Sequence, residues 1–239
     1  MTAIHLVLQG KGGVGKSLIA ALLAQYLAGR SDKLFCADTD PVNDTFSRYE
    51  AFQVRKLELL TKSQQINTRE FDGLVESILQ HDGNAVIDNG ASTFLPLSAY
   101  MVENETVQFL NANGKKVVLH TVLTGGQSFD DTTQGLLALL ANQDAPVVVW
   151  ENEFFGPVEK DGRRFRDSKL YDQNKSRIRG IVTIDRRNED TFGKDIEMLV
   201  SNKLTFDQAM ESPLFSIMPR QRLKIVKKSI FDQLDTLAI

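Results

Sequence analysis

The stretch GKGGVGKS, Gly10–Ser17, decides how the rest of the chain is read. It follows an apolar, β-rich run, AIHLVLQ, and leads into a helical pattern over Ser17–Ala28, so a strand feeds a glycine loop that opens a helix. Gly10, Gly15, Lys16 and Ser17 satisfy the spacing G-x-x-x-x-G-K-[ST]. Glycines let a backbone turn tightly and aim its amide N–H groups at an anion, and the new helix adds its positive end. The spacing predicts a phosphate-binding loop made of Gly10, Gly12, Gly13, Val14, Gly15, Lys16, Ser17 and Leu18. In it Lys16 would bridge the β- and γ-phosphates of a triphosphate, and the Ser17 hydroxyl would ligate Mg²⁺. Such a loop needs one lysine. This one carries a second, Lys11.

Working outward, five more β-rich runs recur: KLFCAD, NAVID, KKVVLHTVL, APVVVWE and RIRGIVTI. Helical patterns lie between them near Thr68–Gln80, Leu95–Leu110, Asp130–Ala141 and Asp190–Asn202. The runs are almost continuously apolar rather than alternating, as strands are when helices cover both faces of a mostly parallel sheet. The expected class is therefore α/β, a three-layer fold with a mostly parallel central sheet flanked by helices. A length of 239 residues fits one such domain, spanning 1–239.

Two segments stand apart. Residues 153–177 are polar, with Asp161-Gly162 as a hairpin signal, and read as an exposed insertion. It is either a solvated hairpin or a docking surface using Arg163, Arg164, Phe165 and Arg166. Near 219–237 a helix opens after Pro219, with Leu223, Val226, Ile230, Leu234 and Leu237 on its core-facing stripe. Arg220, Arg222, Lys224, Lys227 and Lys228 share its remaining surface, which leaves a nucleic-acid contact open beside plain solvation.

Composition narrows the function classes. A net charge of −3 gives no global attraction to nucleic acid or to an anionic membrane. The single cysteine, Cys36, excludes an internal disulfide and a cysteine-built metal or iron–sulfur site within one chain. Its apolar neighbours suggest a buried strand thiol. His5, His81 and His120 have no metal-binding spacing, and His120 reads as a hydrogen-bonded core residue. The opening MTAIHLVLQG is too short an apolar run for a signal peptide, and no membrane-length apolar stretch follows. The expected location is the cytoplasm.

A metal beside phosphate needs a carboxylate from another strand end. Asp88, closing NAVID, is the candidate, acting through a metal-bound water. Asp38 and Asp40, in ADTDPVN, also end a strand, where the functional groups of an open parallel sheet gather. Asp38 would support Ser17 and magnesium, and Asp40 would orient or deprotonate an attacking water. Asx-turn chemistry ahead of Pro41 explains both without catalysis.

KGGVGKS, DTDP and a strand ending at Asp88 together resemble the deviant-Walker-A ATPases of the ParA/MinD type, P-loop proteins that dimerise around ATP. VLQGKGGVGKS, DTDPVN, VIDNGAS, LTFDQA and RQRLKIV bring the chain closer to a conjugal-transfer protein of broad-host-range plasmids. The resemblance implies a P-loop NTPase fold, ATP and Mg²⁺ as ligands, and a homodimer across the nucleotide. It further implies a partner among plasmid-encoded transfer or relaxosome proteins. It gives Lys11 a task, reaching across the interface to the partner subunit's phosphates. It makes Asp40 the hydrolytic aspartate and Asp38 a magnesium-site residue, and places Asn152 where relatives read the adenine edge. Two segments depart from the family pattern. Val42 stands where relatives carry glutamine, and Asn89-Gly90-Ala91-Ser92 where they often carry prolines. The alternatives are a nucleotide-sensing scaffold with little hydrolysis and an ATP-dependent nonspecific DNA-binding partition protein.

Overall fold

A computed structural model describes residues 2–31 and 33–239. The six apolar runs all become strands: β1 (Thr2–Val7), β2 (Leu34–Asp38), β4 (Asn84–Asp88), β5 (Lys115–Thr124), β6 (Val147–Asn152) and β9 (Ile178–Ile184). A seventh, β3 (Arg55–Lys56), is too short and too exposed to leave an apolar signature. The sheet runs in the order β3-β2-β4-β1-β5-β6-β9, and every pairing in it is parallel.

Each face of this sheet carries its own core. Ile4, Leu6 and Leu8 point to the face covered by α2 (Glu70–Gln80), α3 (Phe94–Glu103), α4 (Thr106–Ala112) and α5 (Phe129–Asn142). Val7 points to the other, beneath α1 (Lys16–Ala28), α7 (Lys194–Ser201), α8 (Phe206–Glu211) and α9 (Ile217–Thr236). Burial on both sides explains why the strand runs lack alternation. Cys36 is buried, as its neighbours suggested.

Three helix boundaries differ from the sequence reading. The pattern over Leu95–Leu110 is two helices, because Glu105 takes a left-handed φ of 47° and Asn104 donates from Nδ2 to Tyr100 O at 2.9 Å, closing α3. The pattern over Asp190–Asn202 opens with a π-helical turn, Glu189–Gly193, capped by the Asn188 side chain. The last helix begins at Ile217, before Pro219, since proline fits the first turn, where no intrahelical N–H is needed.

That last helix buries Leu223, Val226, Ile230 and Leu234, whereas Leu237 is its half-buried C-cap. Its basic face is largely paired: Arg222 with Asp195, Lys227 with Asp207 and Lys228 with Asp232. Arg220 donates to Ser212 O at 3.0 Å. The far end is clasped to α1, where the Tyr26 hydroxyl donates to Asp235 at 2.9 Å and Arg30 pairs with the same carboxylate.

The hairpin signal is correct. β7 (Glu159–Lys160) and β8 (Arg163–Arg164) pair antiparallel around Asp161 and Gly162, both at positive φ. It is followed by α6 (Lys169–Asn174). The hairpin is not merely solvated, however. Val158 and Phe165 are buried in the core of the α2–α5 face. Arg164 and Arg166 reach Glu153 and Glu151 at 3.6 and 3.4 Å. Phe165 is therefore unavailable to a partner, while Arg163 stays exposed.

Among the described residues no helix is long and apolar enough to cross a membrane.

Candidate functional site

The loop after β1 emerges at the middle of the sheet, between the carboxyl ends of β4 and β5. In open α/β sheets that is where ligands bind. Gly13 and Gly15 take φ of 74° and 104°, conformations an L-residue resists, and α1 begins immediately after. No side-chain cap closes the helix start, which leaves its dipole and first amides to a ligand.

The two lysines take opposite postures. Lys16 is buried and donates from Nζ to the carbonyl of Lys11 at 2.9 Å, closing the loop on itself. Burial lowers its pKa, against the pull of Asp88 and Asp40. Lys11 turns outward, and its Nζ meets Asp131 Oδ2, in the first turn of α5, at 2.8 Å. It borders an open groove of about 590 Å³ lined by Gln9, Gly10, Ala91, Leu95, Asp131 and others. Leu95 and Val42 present large apolar surface to solvent, at 71% and 74% exposure.

The carboxylates separate as clearly. Val7 and Asp38 are both register partners of Asp88, so β1, β2 and β4 bring all three strand ends together. Asp38 is fully buried, and its oxygens accept from the amides of Asp40 and Ser47 at 2.9 and 3.0 Å. Burial still raises its pKa. Asp40 accepts from the amides of Val42 and Asn43 at 2.9 and 3.0 Å and from Asn43 Nδ2 at 3.3 Å, the Asx-type turn expected ahead of Pro41. Asp88 is different. Its Oδ1 is buried without a hydrogen-bond partner among the described residues. Burial pushes its pKa up to about 8, with the Ser17 hydroxyl pulling the other way and Asp38 adding to the rise. An orphaned buried oxygen beside a serine hydroxyl fits a hard cation. Among the described residues no three His, Cys, Asp or Glu side chains form a metal cluster. A Mg²⁺ ion here would draw on phosphate oxygens and water for the rest of its shell.

Asn152, at the end of β6, is buried under the loop. Its Nδ2 donates to Val14 O at 3.0 Å and its Oδ1 accepts from Phe154 N at 3.2 Å. A Cβ on Gly15 would stand 2.9 Å from that Nδ2, so the glycine also clears room for the amide. One Nδ2 hydrogen remains uncommitted.

The sequence reading missed the residues that tie these parts together. Thr39 donates from its amide and hydroxyl to Asp88 O at 2.9 and 3.0 Å. Asn89 Nδ2 bonds Thr93 Oγ1 at 2.8 Å, and Thr93 Oγ1 bonds Thr39 O at 3.1 Å. Gly90 lies so close to Asp40 that a Cβ would sit 2.6 Å from its Cγ. The only hint was polarity: NGAST follows the apolar stretch AVI and Asp88.

The comparisons agree with this architecture. Residues 5–224 match the CobQ/CobB/MinD/ParA nucleotide binding domain. The chain belongs to that family. Within the CobQ/CobB/MinD/ParA family it is similar to Protein TraL of Escherichia coli, 48% identical over 242 residues and covering 100% of both chains. It is also similar to Protein MobD of Acidithiobacillus ferrooxidans, 28% identical over 84% of this chain and 87% of that one. Among solved structures, the septum site-determining protein MinD complexed with Mg-ADP, from Pyrococcus horikoshii, matches with a TM-score of 0.52. That match covers 100% of this chain and 98% of that one at 17% identity, a likeness of fold.

Proposed function

We propose that the chain is a Mg²⁺-dependent ATP switch, a homodimer closed across bound ATP that hydrolyses it slowly in the cytoplasm. Its setting would be plasmid conjugal transfer, where it positions or regulates another transfer component. The observation that carries the reading is the contrast between the lysines. Lys16 lies buried against its own loop, where it serves the nucleotide in its own site. Lys11 stands at the rim of an open groove, held by a single ion pair that a second subunit's phosphates can replace. Leu95 on the groove wall, and Val42 in the turn beside Asp40, both expose apolar surface, which supports a face that a partner copy covers. Similarity to Protein TraL supports the plasmid setting.

Ser17 and Asp88 would hold the magnesium, with Asp38 behind them. When bound, the ion neutralises phosphate charge. The loop amides and Lys16 bind the triphosphate; Lys11 adds a cation from the opposite subunit, as an arginine finger does. Asp40 would orient the attacking water. Its carboxylate is already engaged by Val42 and Asn43. That engagement supports slow turnover until a partner rearranges the 40–43 turn, and favours as second reading a nucleotide-sensing scaffold that hardly hydrolyses. Single-turnover hydrolysis with and without transfer proteins separates the two. The pairing of α9's basic residues with acids weighs against a DNA-binding role.

Lys11→Ala tests the switch. The monomer should bind Mg²⁺–ATP within about threefold of wild type through Lys16 and the loop amides, and fail to dimerise in light scattering with a slowly hydrolysed ATP analogue. Wild-type dimerisation by this variant would remove the switch and leave the nucleotide site standing.

A further inference from the structure

Immediately before the phosphate loop stands Gln9, fully buried two residues beyond β1. A buried amide is costly unless its polar atoms are bonded. Here Nε2 donates to Val122 O at 2.9 Å, Thr132 O at 3.0 Å and Thr121 Oγ1 at 3.3 Å. Oε1 accepts from the amide of Lys11 at 3.4 Å. The opposite amide orientation would set Oε1 against two carbonyls, so the network assigns it.

The partners of Gln9 come from three elements. Thr121 and Val122 belong to β5, Thr132 to the first turn of α5, and Lys11 to the loop. Gly135 shows how closely α5 is drawn in: a Cβ there would lie 2.0 Å from Gln9 Oε1 and 2.7 Å from Cδ. Glycine inside a helix is unfavourable relative to alanine. This one occupies the point where the glutamine leaves no room for a side chain. Asp131, which holds the Lys11 ammonium, directly precedes Thr132. Lys11 is thus fixed at its main chain by Gln9 and at its ammonium by a turn that Gln9 also grips.

We propose that Gln9 is the positioning residue for Lys11: it locks the first turn of α5 to the phosphate loop and so sets where the Lys11 ammonium is held. The inference rests on the proposed switch only for its consequence in dimerisation. The positioning itself is independent of nucleotide.

Two variants reach the same contact from opposite sides. Gln9→Met keeps the side chain's bulk and removes its polar contacts; Gly135→Ala leaves Gln9 in the chain and pushes its amide aside. Lysine side-chain NMR on the nucleotide-free protein reads the outcome, with the Lys11 signal assigned by its loss in Lys11→Arg. Both variants should move that signal to the position it takes in Asp131→Asn. A merely structural role would lower thermal stability and leave the Lys11 signal at its wild-type position in whichever variant folds, and that result would overturn the inference. Dimerisation with a slowly hydrolysed ATP analogue should weaken about tenfold or more in both. A moved signal with wild-type dimerisation would uphold Gln9 as the positioning residue and remove the proposed task of Lys11.

Discussion

Asn152 divides its carboxamide between holding the loop and what a ligand can still use. One N–H is spent on Val14 O and the oxygen on Phe154 N, leaving one N–H uncommitted, the donor that the proposed base reading would need. Asn152→Asp would turn a donor against the Val14 carbonyl into an anionic acceptor, so the loop itself should loosen. We expect ATP and bare triphosphate to weaken together, by about 10- to 100-fold, or roughly 1.5–3 kcal/mol, in calorimetric titration. Loss of ATP with unchanged triphosphate binding would confine the residue to base reading. At this scale the motif spacing marked Lys11, Lys16 and Ser17 as candidates, because a loop is built from near neighbours in sequence, and the end of an apolar run marked Asp88. Gln9 and the Thr39–Asn89–Thr93 set were not legible. Their partners lie far away in the chain, as Gln9 and Thr132 do, and hydrogen bonds of that kind leave no local pattern.

Individual strands were readable from apolar runs, and α3 and α4 were read as one helix because the apolar pattern continues past Glu105. A single left-handed residue ended the first helix without altering that pattern. What a strand presents inward was readable in part. His120 was expected in the core, but not its place in a polar row across β1, β5 and β6. The Trp150 indole donates to His120 Nδ1 at 3.0 Å, and His120 Nε2 stands 2.9 Å from His5 Nδ1. Since His120 Nδ1 accepts, its neutral ring donates from Nε2, and His5 keeps its own proton on Nε2, buried and unpartnered. Burial, aided by Arg179, pushes the pKa of His5 down to about 3, and burial carries that of His120 well below its ordinary value. The unfolded chain therefore binds more protons than the folded one below the ordinary histidine value of 6.5. The stability each histidine permits is complete above that value and is lost as the pH falls toward about 3 for His5. His5→Leu should flatten the acid slope. Between pH 6.5 and 4.5, wild type should lose about 2 kcal/mol more than the variant in urea unfolding. Equal losses would mean that the row is protonated at little cost.

Across the whole molecule the parallel order of the sheet gathers the ends of β1, β2 and β4 at one edge of the core, and α7, α8 and α9 share with α1 one face of the sheet. Stability and ligand binding should then be separable. Leu234, fully buried on α9, belongs to the core that α9 shares with α1 and is remote in sequence from the loop. Leu234→Ala should cost about 2–5 kcal/mol in denaturant unfolding and leave Mg²⁺–ATP affinity within a factor of two. A large loss of affinity instead would show that α9 tunes the loop through α1. The class of fold followed from strand patterning alone, whereas β3 and the docking of the hairpin did not, since both depend on contacts that only the assembled sheet creates. One feature of that assembly gives the protein its own optical gauge. Trp150 is the single tryptophan, wholly buried, bonded to His120 and two residues from Asn152. Its emission should be blue in the native state, dim as imidazolium forms beside the indole, and shift to the red on unfolding. Acid titration and denaturation can thus be followed in an unlabelled sample by one fluorescence signal, which the proposed nucleotide at the end of β6 would also be expected to move.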